Sequence, residues 1–231
     1  MRSGGHWAAK ALLAVSALVA MPACAGTKTE ILPALLERAP RSILVLPPLD
    51  ESIETGATYG AYASVAPPLI ELGYYVFPPA LVDTVMRENG LPDPFDMHQV
   101  PLAKLREVFD PDAVMYMKVT DWGTSYQVLN SVTRISIEAR LVDAETGALL
   151  WQGSRTLSQN SNSGGGGLAG MLIGAVVNQV ATSISDPSRG IARAANGLML
   201  GPGNSSLLVG PYHPKYAEIF GAAVAEQQVI Q

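Results

Sequence analysis

Along Thr133 to Leu141 the residues Ile135, Ile137, Ala139 and Leu141 are apolar, while Arg134, Ser136, Glu138 and Arg140 between them are polar. A period of two marks a strand with one face buried and one face wet. Asp143-Ala144-Glu145-Thr146-Gly147 follows, with glycine where a left-handed residue is needed, and Leu149-Leu150-Trp151 returns. The pattern predicts a hairpin. Ala113 to Thr120 is a further apolar-rich strand before it, so this part of the chain is an antiparallel meander.

Upstream the pattern is different. Ile43-Leu44-Val45-Leu46 is a continuous apolar run stopped by Pro47-Pro48, as expected for a strand buried on both faces of a partly parallel sheet. Tyr59 to Leu72 has helical composition interrupted by Pro67-Pro68, which remove two backbone donors and predict a kink or two short helices. Gly73 ends it, and Tyr74 to Phe77 makes a second strand. Ala80 to Asn89 predicts a helix with Leu81, Val82, Val85 and Met86 on one face and Gly90 as its stop. Pro92, Asp93 and Pro94 mark a loop. A helix then starts at Pro101, carries the stripe Leu102, Leu105, Val108 and Phe109, and closes at Asp110-Pro111.

After the meander, Ser161 to Gly167 is a polar and glycine-rich tract, and Leu168 to Ile184 is an uncharged helix with Gly170 and Gly174 spaced for close packing. Leu168, Ile173, Gly170 and Gly174 are its candidate self-association residues. Asp186 to Ser188 caps a short helix running to Asn196 and stopped by Gly197, Leu207 to Val209 adds an edge strand, and Gly210 to Tyr216 lies irregularly over the sheet. The sum is an α/β (α+β) fold: a mixed sheet with an N-terminal βαβα part, then the meander, and a C-terminal helix packed on one face.

The first residues change the picture from a fold to an address. Arg2 and Lys10 precede the apolar run Ala11 to Ala20, the order of a bacterial export signal. Ten residues are about half of the ~20 that a spanning helix needs. Met21-Pro22-Ala23-Cys24 resembles a lipobox, whose cysteine is acylated and becomes the new N-terminus, and Cys24 is the only cysteine. Two or three acyl chains anchor stably where one does not. Ala23-Cys24-Ala25 also satisfies the A-x-A rule for ordinary signal cleavage, which would release a soluble periplasmic protein. The expected organisation is a signal peptide over 1–23, a lipidated N-terminus and tether over 24–40, and a single domain over 41–231. Ala25 after the cysteine points to the outer membrane, on its periplasmic face.

Losing Arg2 and Lys10 from 15 basic residues leaves 13 against 20 acids, a net charge of −7. That excludes a nucleic-acid binder, which needs clustered lysines and arginines. His98 and His213 are the histidines beyond the leader, and neither has metal-ligand spacing, so no metal and no cofactor are expected. Gly165-x-Gly167-x-x-Gly170 matches a dinucleotide fingerprint in letters, but no strand with an acidic ribose partner follows it. There is no nucleophile elbow and no phosphate loop. The remaining enzymatic reading is a carboxylate hydrolase using Asp50 or Glu51 with Asp83, and the non-enzymatic reading is preferred.

Four segments together resemble a bacterial lipoprotein family of unknown function whose neisserial member is a surface-vaccine candidate antigen. They are Gly73-Tyr74-Tyr75-Val76-Phe77-Pro78, Met97 through Arg106, Ala139 through Asp143 with the Gly147 turn and Trp151, and Gly210 through Tyr216. The resemblance covers most of the chain after the leader. It implies a fold similar to the N-terminal domain of the Tol-system propeller protein and to curli-secretion-type lipoproteins. It also implies work beside the latter in envelope transport or assembly. It singles out His98, Trp151, Tyr212, His213 and Lys215 without giving them a role. The expected partners are envelope proteins, the membrane through acylated Cys24, and a second copy of the chain. The alternative is a small-ligand-binding component of an envelope transporter, with its pocket in the loops after Leu46 and Phe77.

Overall fold

The computed structural model describes residues 32–52, 54, 56–126, 131–160, 188–201 and 207–230. Its sheet is built outward from β1 (Ser42–Val45), whose side chains are all apolar after Ser42. Ile43 and Val45 enter a larger core on one face, and Leu44 joins Leu46 in a smaller core on the other. A strand apolar on both sides therefore ends up between two layers of helices. β1 pairs in parallel with β3 (Tyr75–Val76) and with β4 (Ala113–Tyr126), while β2 (Leu49–Asp50) runs parallel to β4 further along. β5 (Ser131–Asp143) and β6 (Leu149–Asn160) complete the antiparallel meander, giving the order β3-β1-β4-β5-β6. The mixed α/β sheet, its βαβα beginning and its meander are as the sequence predicts.

Alternation decides which face each meander residue takes. Met115, Met117 and Val119 of β4 and Ile135, Ile137, Ala139 and Leu141 of β5 all belong to the larger core. A register shift between Val119 and Asp121 inserts one residue into β4, as a β-bulge does. The core phase moves from odd to even, so Trp122 is buried.

The larger core is roofed by α2 (Ala57–Tyr62), α3 (Ala66–Glu71) and α7 (Ser188–Leu200). The Pro67-Pro68 pair falls in the first turn of α3, where missing N–H groups cost nothing. α7 crosses β5 and β6, and its fully buried Asn196 donates through Nδ2 to Ala61 O and to Ser64 Oγ, both at 2.9 Å. On the opposite face, α4 (Pro79–Glu88), α5 (Pro94–Gln99) and α6 (Leu102–Phe109) enclose the smaller core through Val82, Met86, Met97 and Leu105. At the start of the described chain, α1 (Pro33–Arg38) is clamped to the β5–β6 turn. Arg38 bonds Asp143 at 2.8 Å and also reaches Glu145.

Several local expectations are corrected. Leu81 and Val108 are exposed, because the inward stripes of α4 and α6 are narrower than the apolar pattern. Pro94 does not mark a loop but opens α5, with Asp93 capping Phe95 N at 2.7 Å. α7 continues through Gly197 to Leu200, since nothing crowds Gly197 and the helix is held by tertiary contacts on both sides. Leu207 to Val209 pairs with no strand. Leu207 and Val209 are buried in the larger core, Tyr74 Oη donates to Leu208 O at 2.7 Å, and Gly210 N to Leu72 O at 2.7 Å. The segment from Gly210 therefore packs over the turn between α3 and β3. A helix not expected from the pattern, α8 (Tyr216–Ile230), follows and touches α1. The predicted helix over Leu168 to Ile184 lies outside the described residues.

Candidate functional site

The polar residues of the meander, on the face away from α7, form the floor of a groove. Cross-strand register puts Tyr116, Arg140 and Gln152 in one row and Lys118, Glu138 and Ser154 in the next. With Leu49 of β2 and His98 of α5 they line a cavity of about 700 Å³, which also borders Trp151, Arg155 and Met199 on the α7 side of the sheet.

His98 is held from two sides. Its Nε2 donates to Pro47 O at 2.9 Å, and its ring meets Tyr116 edge-on at 5.3 Å. On the far side of that register row the Arg140 guanidinium lies over the Tyr116 ring, 4.9 Å from its centre. Lys118 Nζ bonds Glu51 Oε1 at 2.6 Å. Burial lowers the pKa of His98, and the positive charges of Arg140 and Lys118 add to this against the Pro47 hydrogen bond. Burial raises the pKa of Tyr116.

A histidine depressed below its ordinary value of 6.5 binds fewer protons folded than unfolded, so stability rises with pH across that interval. Its contribution is fully present above pH 6.5 and is lost as pH falls from there through the folded value. Urea unfolding at pH 7 and at pH 5 is therefore expected to show a drop that His98→Asn reduces. An equal drop in both proteins would assign it to the carboxylates.

Two side chains of β6 that face α7, on the other side of the sheet from the groove floor, carry unused donors. Trp151, 3 % exposed, has no partner for its indole Nε1. Arg155 donates through Nη2 to Leu198 O at 3.2 Å, but its buried Nε has no partner.

Of the residues picked out in the sequence, His98 lies on the groove, while Trp151 is buried in the larger core on the other face of the sheet. Tyr212, His213 and Lys215 lie elsewhere, at the turn between α3 and β3. There Tyr212 N donates to Gly73 O at 3.0 Å, and His213 Nδ1 accepts from Lys215 N at 3.1 Å. Cys24, Leu168, Gly170, Ile173 and Gly174 lie outside the described residues. The carboxylates of the hydrolase reading are each engaged. Asp50 accepts from Ser52, Glu51 pairs with Lys118, and Asp83 accepts from Tyr59 and Arg87. Among the described residues no group of three acids, histidines or cysteines is placed to hold a metal, and no helix is long and apolar enough to cross a membrane. The groove borders the loop after Leu46 but not the one after Phe77. Glu138 and Arg140 were visible in the sequence only as wet positions. Their neighbours across the strands are set by register, which the hairpin turn fixes.

A family model described as "Putative lipoprotein GNA1162-like" matches residues 32–212. The "Putative lipoprotein NMB1124/NMB1162" of Neisseria meningitidis serogroup B is 43% identical over 203 residues, covering 87% of this chain and 94% of that protein. The crystal structure of lipoprotein GNA1162 from Neisseria meningitidis is 51% identical, with a TM-score of 0.53, over 62% of this chain and all of that one (100%). The PelC dodecamer from Paraburkholderia phytofirmans is 15% identical, with a TM-score of 0.38, over 55% of this chain and 77% of that one. The family match spans the sheet, both helical layers and the segment over the α3–β3 turn, so the chain belongs to the GNA1162-like lipoprotein family.

Proposed function

We propose that this chain is an accessory lipoprotein, anchored by acylated Cys24 at the periplasmic face of the outer membrane. It binds an envelope protein rather than catalysing a reaction, within a transport or assembly system of curli-secretion type. The observation that carries partner binding is β6. It is a 12-residue strand at the end of the sheet, and no described strand pairs with its outer edge. A row of open N–H and C=O groups is a template for an added strand. The exposed Gln152, Ser154, Thr156 and Ser158 keep the neighbouring face wet. The anchoring is supported by the leader, by the lone cysteine and by the family's description as lipoproteins.

Photo-crosslinkers at Thr156 and Ser158 in growing cells are expected to capture one recurrent envelope component. Cys24→Ala is expected to move the protein out of the membrane fraction and to weaken the capture. A chain that stays soluble with Cys24 intact, or no crosslinked protein from either position, would overturn the reading. The groove favours a second reading, a small-ligand-binding component of a transporter.

A further inference from the structure

Edge strands are ordinarily protected by charges, prolines or bulges, and β6 is protected only at its start. Leu141 pairs with Trp151 and Val142 with Leu149, so Leu150 is an extra residue, and both Leu150 and Trp151 turn into the larger core. α1, clamped to the preceding turn, packs against the same strand. From Gln152 to Asn160 the strand contains no proline, and its one charge is Arg155. That charge does not protect the edge, because Arg155 bends toward α7 and donates through Nη2 to Leu198 O at 3.2 Å.

The side chains beside this edge differ between the two faces. On the wet face Gln152, Ser154, Thr156 and Ser158 are exposed and uncharged, so they select no charge in a neighbour. On the α7 face the row is Gly153, Arg155, Leu157 and Gln159, half-buried except for Leu157, which is buried. Arg155 Nε and Gln159 Oε1 have no hydrogen-bond partner, and among the described residues no carboxylate pairs with Arg155. Each unpaired buried atom forfeits its bond to water. A strand laid along the edge puts its own side chains about 4.5–5.5 Å from these, on the same face. There a carboxylate meets the guanidinium, an apolar residue extends the core at Leu157, and an N–H or O–H donor satisfies Gln159. Neither described edge of a second copy offers such a strand. β3, at the other end of the sheet, is two residues long and has no acid, and a second β6 brings another arginine and no acid.

We infer that the outer edge of β6 receives an extended segment of an envelope protein that carries a carboxylate beside Arg155, an apolar residue beside Leu157 and a hydrogen-bond donor beside Gln159. This rests on strand addition as the mode of partner binding, and adds what the incoming strand must carry.

Two labelled peptides, Thr-Glu-Thr-Val-Thr-Lys-Thr and its reversal Thr-Lys-Thr-Val-Thr-Glu-Thr, present the pattern to the full-length protein in the antiparallel and parallel senses. By fluorescence anisotropy, one of them is expected to bind roughly tenfold or more tighter than Thr-Lys-Thr-Val-Thr-Lys-Thr, in which lysine replaces the acid. Arg155→Glu is expected to invert that ranking, and Arg155→Gln, a milder change should the first variant fold poorly, to abolish it. Arg106→Glu, an exposed cation of α6 on the opposite face of the sheet, should leave the ranking unchanged. No binding by either acidic peptide, equal binding by the lysine peptide, or a ranking that Arg155→Gln does not alter would overturn the assignment. Crosslinks from Thr156 that join only copies of this chain would overturn it as well. An envelope protein captured from Thr156 as efficiently in Arg155→Gln cells as in the parent would sink the side-chain pattern and leave strand addition standing.

Discussion

Gly73→Ala is expected to lower the unfolding free energy by about 3 kcal/mol or more, the sum of a left-handed backbone penalty of about 1–2 kcal/mol and an overpacking cost of about 1–3. Gly73 has φ +84°, and an added Cβ would stand 2.2 Å from His213 N and 2.6 Å from His213 Cβ. The first of these neighbours is backbone, and it is tied down. Gly210 N donates to Leu72 O at 2.7 Å and Tyr212 N to Gly73 O at 3.0 Å, and Gly210 itself would place a Cβ 2.5 Å from Gly73 O. Neither side can retreat without breaking the bonds that hold Leu207 to His213 against α3 and β3. Gly90→Ala supplies the control. Its φ is +83°, but nothing lies within 4 Å of a Cβ there, so only the backbone penalty applies. Equal losses for the two variants in urea titrations would show that the approach of the C-terminal segment is not tight. A larger loss for Gly73→Ala, with faster protease cleavage after Leu200, is the expected result.

Asn196→Asp is expected to cost roughly 3–5 kcal/mol at neutral pH, the penalty for a buried charge without a counter-charge. Asn196 is 0% exposed and holds α7 to α2 by donating to two oxygens, Ala61 O and Ser64 Oγ. A carboxylate would point negative oxygen at the Ala61 carbonyl. Its Oδ1 already has no partner, so nothing waits to receive the charge. The sign with pH is opposite to that of His98. Desolvation raises the folded pKa of the introduced acid above its unfolded value, so the variant is least damaged in acid and loses stability as pH rises through the folded value. A gap between parent and variant that narrows toward pH 4 in thermal melts would fit. A gap independent of pH would trace the loss to packing.

The parts of the fold that were legible in the sequence are those with one dominant period. Ile135 to Leu141 and Ile43 to Leu46 announce how many faces are buried, and both are placed accordingly. The errors fall where a local signal is overridden by packing. Pro94 could open a helix because Asp93 was there to cap it, and Gly197 did not stop α7 because Ala195, Asn196, Met199 and Leu200 are all buried around it. Leu207 to Val209 has a strand's composition, yet no strand pairs with it: Leu208 O accepts from Tyr74 Oη, and the next residue, Gly210, donates its N–H to Leu72 O. The groove was half visible. His98 stood out through a family resemblance, but only the register of β4, β5 and β6 shows that Tyr116, Arg140 and Lys118 line the groove beside it, and that Trp151 faces the other way into the larger core.

The clamp of Arg38 on Asp143 and Glu145 ties the first described helix to the turn between β5 and β6. With the chain anchored at Cys24 as proposed, the eight residues to Leu32 would reach at most about 27 Å, and α1 adds only six residues, about 9 Å. The turn, and Leu149 where β6 begins beside it, would then be held within roughly 36 Å of the lipid. A partner adding a strand to that edge would be met close to the bilayer, with the clamp acting as a short leash on the binding edge.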